Sequence, residues 1–96
     1  MRTWELLENK RDEILRIATS HGAGNIRVFG STARRDDDEA SDIDILVRLE
    51  PGVGLFQHAA LVRELENLLG RKVDVVSDRG LRPRIKDRVL REAVPL

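Results

Sequence analysis

The sequence predicts a small α/β domain in which a mixed β-sheet is covered by helices, and three observations lead there. SDIDILVRL from Ser41 and KVDVV at 72–76 alternate polar and apolar residues in the manner of half-buried strands. The stretches around them repeat apolar residues at helical spacing. Glycine and proline punctuate the junctions, at Gly22, Gly30, Pro51, Gly70 and Pro83 among others.

The elements follow in order. From Thr3 to about Ser20 one amphipathic helix is expected, with Leu7, Ile14, Leu15 and Ala18 on its apolar side, Thr3 as N-cap and Gly22/Gly24 as the stop. IRVF at 26–29, between Asn25 and Gly30, reads as a strand. The polar stretch after Gly30-Ser31 has room for about one helical turn and a loop. SDIDILVRL is a strand that puts Asp42 and Asp44 on one face and Ile43, Ile45 and Val47 on the other. PGVG at 51–54 breaks the chain, and Leu55, Ala59, Val62, Leu65 and Leu69 then mark a second helix that stops at Gly70. KVDVV is a strand with Asp74 opposite Val73 and Val75. Pro83 to Ala93 is a short basic helix whose Ile85, Val89 and Ala93 share a face.

Composition limits the function. The 96 residues suffice for one domain, 1–96, of marginal stability that a ligand or partner would support. Without cysteine there is no disulfide framework, thiolate chemistry or sulfur-ligated zinc. No apolar run approaches a membrane span and the charged N-terminus is unlike a signal peptide, so a cytoplasmic protein is expected. Seventeen basic and 17 acidic side chains give a net charge of zero, which argues against coating nucleic acid or an anionic membrane. The zero is an average: residues 1–50 hold 8 basic and 11 acidic side chains, and residues 51–96 hold 9 and 6.

Three features carry chemistry if the strands are neighbours. Gly30-Ser31 leaves a strand and opens a turn whose N–H groups and hydroxyl can hold an anion, although by itself such a pair is an ordinary turn. Asp42 and Asp44 lie on one strand face about 6–7 Å apart, close enough to straddle divalent ions; the alternative is a solvent-facing pair of acids. Asp74 sits among valines on an expected central strand, or is an edge charge that discourages aggregation. Two carboxylates about 5 Å apart at an effective dielectric near 20 repel by roughly 3 kcal/mol, so a group of three takes up protons or a cation. Magnesium suits oxygen-only ligation by carboxylates and phosphates.

Gly30-Ser31, ten residues, then Asp42-Ile-Asp44 resembles the signature of the DNA polymerase beta-type nucleotidyltransferase superfamily. VFGSTARR, SDIDILV, KVDVVSDRGLRP and RVLREAVPL are more closely similar to the minimal nucleotidyltransferases, the MNT antitoxins paired with HEPN toxins. Arg34-Arg35 stands where related chains often read Arg-Gly. The resemblance implies a polymerase beta-like palm. Asp42 and Asp44 would ligate two Mg²⁺ ions, and Asp74 would complete the metal site and help deprotonate the attacking hydroxyl. Gly30 and Ser31 would hold the β- and γ-phosphates of ATP, with Arg34 a further triphosphate contact. AMP would pass to a tyrosine hydroxyl of a cognate HEPN RNase toxin, with which the chain would form a hetero-oligomer. The 96 residues contain no tyrosine, so such an acceptor belongs to another polypeptide. A non-catalytic antitoxin that occludes its toxin, and a nucleotidyltransferase acting on a small molecule or RNA, are the alternatives.

Other residues take simpler readings. His21 is expected at a helix C-terminus and His58 within a helix, neither in a triad arrangement. Asp36-Asp37-Asp38-Glu39 reads as a solvated loop whose charge favours a basic partner surface. Arg79, Arg82, Arg84, Lys86, Arg88 and Arg91 form a basic stretch fitted to nucleotide or partner contact. Direct nucleic-acid binding is not expected, because Trp4, Phe29 and Phe56 are dispersed rather than arrayed for stacking.

Overall fold

A computed structural model describes residues 2–38 and 40–96. The N-terminal segment forms two helices, α1 (Thr3–Asn9) and α2 (Arg11–Ser20), where one was expected. The split is local. Lys10 leaves helical geometry at φ −103° and ψ 8°, yet its N–H donates to the Leu6 carbonyl at 3.0 Å and its own carbonyl accepts from Ile14 at 2.9 Å. Thr3 is the first helical residue and is buried; Arg2 occupies the N-cap position.

Gly22, at φ +74°, turns the chain into β1 (Ala23–Phe29), which begins three residues before the expected strand and takes in Gly24. A bulge between Gly24 and Arg27 accounts for the extra length, with Asn25 in the left-handed region its short amide tolerates. The expected single turn is α3 (Gly30–Arg34). Then come β2 (Ile43–Leu49), α4 (Leu55–Leu69), β3 (Val73–Ser77), a 3₁₀ turn over Asp78–Gly80, α5 (Pro83–Glu92) and β4 (Val94–Pro95). Gly70 at φ +66° closes α4 and Pro83 opens α5, as their positions in sequence require.

The sheet order is β3-β2-β1-β4, parallel between β2 and β3 and antiparallel elsewhere. The parallel pair is possible because α4 carries the chain back between its strands. β3 is thus an edge strand and Asp74 is exposed, correcting the expected central position. β4 consists of two residues recruited by β1, and Leu96 adds an N–H bond to the Ile26 carbonyl at 3.0 Å.

One sheet face packs Val28, Ile43, Ile45, Val47, Val73 and Val75 against Leu7, Ile14 and Ala18 of the first two helices and Leu61, Leu65 and Leu69 of α4. The stripe on α4 differs from the expected one at its start: Leu55 is 84% exposed and Phe56 94% exposed. Both lie in the first turn, and Ala59 of the expected stripe is exposed too, so helical spacing alone carried the stripe too far toward the start of α4. Of the expected α5 face only Val89 is buried; Ile85 is exposed and Ala93 half-buried. Leu61→Ala is expected to destabilise the fold by about 2–5 kcal/mol in urea unfolding. Phe56→Ser should shift stability by no more than about 0.5 kcal/mol.

Candidate active site

Strand register assembles the site. Asp44 pairs in register with Phe29 of β1 on one side and Asp74 of β3 on the other. Neighbouring strands lie about 4.7–4.9 Å apart, so the Asp44 and Asp74 backbones are adjacent. Asp42 immediately precedes β2, two residues from Asp44. The structure therefore brings together the three carboxylates that the sequence marked. Asp44 is half-buried; Asp42 and Asp74 are exposed.

This crowding shows in protonation. Burial first, then the charges of Asp74 and Asp42, push the Asp44 pKa up to about 6, against a smaller opposing pull from Arg34. Crowded carboxylates of this kind favour a neighbouring positive charge or a proton. Asp42, Asp44 and Asp74 make no hydrogen bond or ion pair among the described residues, which leaves their oxygens available.

Because Phe29 is level with Asp44, the next residue, Gly30, falls against the Asp44 side chain. Gly30 has φ +69°, and a Cβ there would sit 2.3 Å from Asp44 Oδ2. Only glycine admits both the conformation and the approach. Ser31 follows on the same turn, half-buried, and its hydroxyl is not engaged by any side chain or carbonyl among the described residues. Arg34 is exposed at the end of α3, with its Nε donating to Asp36 Oδ2 at 3.2 Å and Nη1 to Glu92 Oε2 at 3.3 Å. It thus links α3 to α5 and stands as a cation beside Asp44.

The acidic run is more structured than a solvated loop. Thr3 donates to Asp37, whose carboxylate is only 9% exposed, and Arg71 lies 4.0 Å from the same oxygen. Asp38 accepts from Ala40 N at 2.9 Å and Ser41 Oγ at 3.2 Å. Glu39 lies outside the described residues. Arg71 also donates to the carbonyls of Asp38 at 3.1 Å and Ser41 at 2.7 Å and to Thr3 Oγ1 at 3.0 Å. Arg71 thereby fixes the chain just ahead of Asp42. No periodicity signals this role; the pairing is between residues thirty or more positions apart. His21 pairs with Glu64, and His58 Nε2 meets the Val75 carbonyl at 2.9 Å, so both imidazoles tie elements together.

The donor set fits a hard divalent cation: carboxylate oxygens only, mutually repelling, with an open side toward a turn of N–H and hydroxyl donors. Among the described residues no three such side chains already converge on one point.

A row of carboxylates on a sheet, bordered by a glycine turn, defines a class of protein that handles phosphate esters with divalent ions. The model of the nucleotidyltransferase domain family matches residues 10–96, and the chain belongs to that family. Within it the chain groups with the minimal nucleotidyltransferases. A solved structure provisionally described as one superposes with a TM-score of 0.87 at 51% identity, over 96% of this chain and 94% of that one. Protein adenylyltransferase MntA of Thermococcus cleftensis is 41% identical over 91 residues, covering 86% of this chain and 92% of the relative. A chain from the complex of tri-AMPylated Shewanella oneidensis HEPN toxin with MNT antitoxin superposes with a TM-score of 0.66 at 25% identity, over 95% of this chain and 69% of that one. The polymerase beta-like sheet expected from the sequence is the fold these neighbours share. Among the described residues no helix is long and apolar enough to cross a membrane.

Two outcomes test the electrostatics. The Asp44 pKa is higher in the folded chain than in the unfolded one, so the penalty is absent below about pH 4 and grows as pH rises through about 6. Asp44→Asn removes it. In chelator, thermal unfolding of the variant should exceed that of the parent at pH 7.5 by a few degrees, about 1 kcal/mol after solvent screening, and the gap should vanish near pH 4. Arg71→Ala should destabilise the chain by about 2–4 kcal/mol in urea unfolding, since it leaves Asp37 and two carbonyls without their partner.

Proposed function

We propose that the chain is an antitoxin enzyme that transfers AMP from ATP to a tyrosine hydroxyl of a HEPN RNase toxin, with Mg²⁺, and so silences the toxin. The observation that carries this reading is the apposition of Gly30 to an Asp44 carboxylate held in register with Asp74. With no side chain between them, a phosphate held on the turn would lie against a cation held by the carboxylates, which is what the reading requires. The names borne by relatives, protein adenylyltransferase and MNT antitoxin of a HEPN toxin, support the acceptor and partner.

In this reading the Gly30 and Ser31 N–H groups and the Ser31 hydroxyl hold the β- and γ-phosphates of ATP, and Arg34 turns from Asp36 to meet them. Asp42, Asp44 and Asp74 would hold two Mg²⁺ ions, which when bound neutralise the carboxylates and polarise the phosphoryl oxygens. The tyrosine oxygen forms a bond to the α-phosphorus. The bond from that phosphorus to the oxygen bridging the β-phosphate breaks, and pyrophosphate leaves. Asp74, exposed at the sheet edge where an acceptor can approach, takes the hydroxyl proton. With no tyrosine in the 96 residues, the acceptor comes from the partner.

Incubation with the cognate toxin, Mg²⁺ and ATP labelled at the α-phosphate should place label on a toxin tyrosine; an unlabelled toxin would overturn the reading. Asp42→Asn and Asp44→Asn should each lower transfer by more than the roughly 10–100-fold that loss of an outer-shell partner costs a metal site.

A further inference from the structure

β3 has a strand neighbour on one side only. The Lys72 carbonyl accepts from the Ile43 N–H at 2.9 Å, so Lys72 faces β2, and backbone alternation turns the N–H and C=O groups of Val73 and Val75 toward the free edge. Those two residues flank Asp74. An edge strand ordinarily leaves such groups to water or to another chain. Here α4 takes one from each: Glu66 Oε2 accepts from the Val73 N–H at 3.0 Å, and His58 Nε2 donates to the Val75 carbonyl at 2.9 Å. A carbonyl can only accept, so this contact places an imidazole proton on Nε2.

Both bonds are anchored. Leu61, Leu65 and Leu69 of the same helix are buried against the sheet, so α4 gives the outer edge of β3 the fixed reference that a further strand would give an inner one. The force on that edge comes from the carboxylates. Asp44 and Asp74 stand in register and repel, and β2 has strands on both sides, so β3 is the strand placed to yield. Glu66 does not add to the crowding: the acids that raise the Asp44 pKa are Asp74 and Asp42. The other imidazole offers a contrast, since His21 pairs with Glu64 and ties α4 to α2 rather than to β3.

We propose that His58 and Glu66 are positioning residues for Asp74: from α4 they hold the backbone on either side of it, and so set where its carboxylate stands when it completes a divalent-ion site with Asp44. Neither touches an ion or a substrate. The consequence for catalysis rests on the AMP-transfer reading, in which Asp74 takes the hydroxyl proton; the consequence for ion binding needs only the carboxylates. In that reading the ATP phosphates lie on the Gly30-Ser31 turn, which follows β1 and is separated from β3 by β2. Loosening β3 therefore costs turnover more than it costs ATP binding.

His58→Leu and Glu66→Leu each remove one bond, whereas His58→Gln and Glu66→Gln keep a donor and an acceptor of similar reach. Mn²⁺ titration without nucleotide, followed by electron paramagnetic resonance, reads the site that Asp44→Asn abolishes. Either leucine variant should weaken that binding about tenfold or more, the usual loss when an outer-shell partner of a metal site is removed, and the glutamine variants should recover it. In transfer assays with the toxin and ATP, kcat of the leucine variants should fall about 10–100-fold while KM for ATP changes little. In an Asp74→Asn background His58→Leu should weaken Mn²⁺ binding no further, because it acts only through Asp74. His21→Leu should leave Mn²⁺ binding unaltered. Should a leucine variant not fold, His58→Asn and Glu66→Asn, whose amides stop short of β3, give the same comparison. Leucine variants that bind Mn²⁺ like the parent, glutamine variants that bind no better than the leucine ones, or a loss that adds in full to that of Asp74→Asn would each overturn the proposal. So would an unaltered protein that binds no Mn²⁺. If it binds Mn²⁺ but transfers no AMP, the AMP-transfer reading fails by itself, and the Mn²⁺ comparison still decides the positioning role.

Discussion

The parallel pairing of β2 with β3 sets Asp44 beside Asp74, and the rest of the site is arranged around that unfavourable contact. Carboxylates at strand spacing repel by roughly 3 kcal/mol at an effective dielectric near 20. What holds them is the other face of the same strands, where Ile43, Ile45, Val73 and Val75 are buried. A slip of one residue would relieve the acids but would turn every one of those side chains out of the core. Burial of each is worth about 1.5–3 kcal/mol, so the apolar face decides the register and the polar face accepts its consequence. The carboxylates cannot move apart, because the register that crowds them is held by the apolar face of the same strands.

The other boundary of the site is built by contacts remote in sequence. Arg71, just after α4, binds the loop ahead of Asp42, and Thr3 of α1 binds Asp37 in that loop. The Trp4 Nε1–H donates to the Thr32 carbonyl at 2.7 Å, and Arg35 stacks 5.0 Å from the Trp4 ring. The first helix therefore braces both α3, which follows Gly30, and the acidic loop, besides contributing Leu7 to the core. Such bracing is what a two-carboxylate site needs, since small displacements of ligands are costly in catalysis.

Much of this was legible in the sequence where a local rule acts alone. Alternation located β2 and β3 and placed Asp44 and Asp74 on strand faces, while Asp42, expected on the strand, lies just ahead of it; Gly70 and Pro83 bounded the helices beside them. Where tertiary contacts choose among local options, the reading fell short. Lys10 breaks a helix without being Gly or Pro, and Val94–Pro95 is a strand only because β1 has a free edge. Strand order is invisible to periodicity, so Asp74 was expected at the centre of a sheet whose edge it occupies. Asp37 reads as one more loop acid, and only the arrival of Arg71 and Thr3 from elsewhere makes it structural.

The strand arrangement also gives meaning to a net charge of zero. Asp42 and Asp44 of the first half meet Asp74 of the second at one end of β2, and Arg79 and Lys86 of the second half join Arg48 of the first at the other. Folding thus separates opposite signs along β2 by about 13 Å, with the fully buried Leu46 between them. The acidic end repels an anion and the basic end attracts one, so a charged molecule approaching the protein is oriented by its field before any shape complementarity acts.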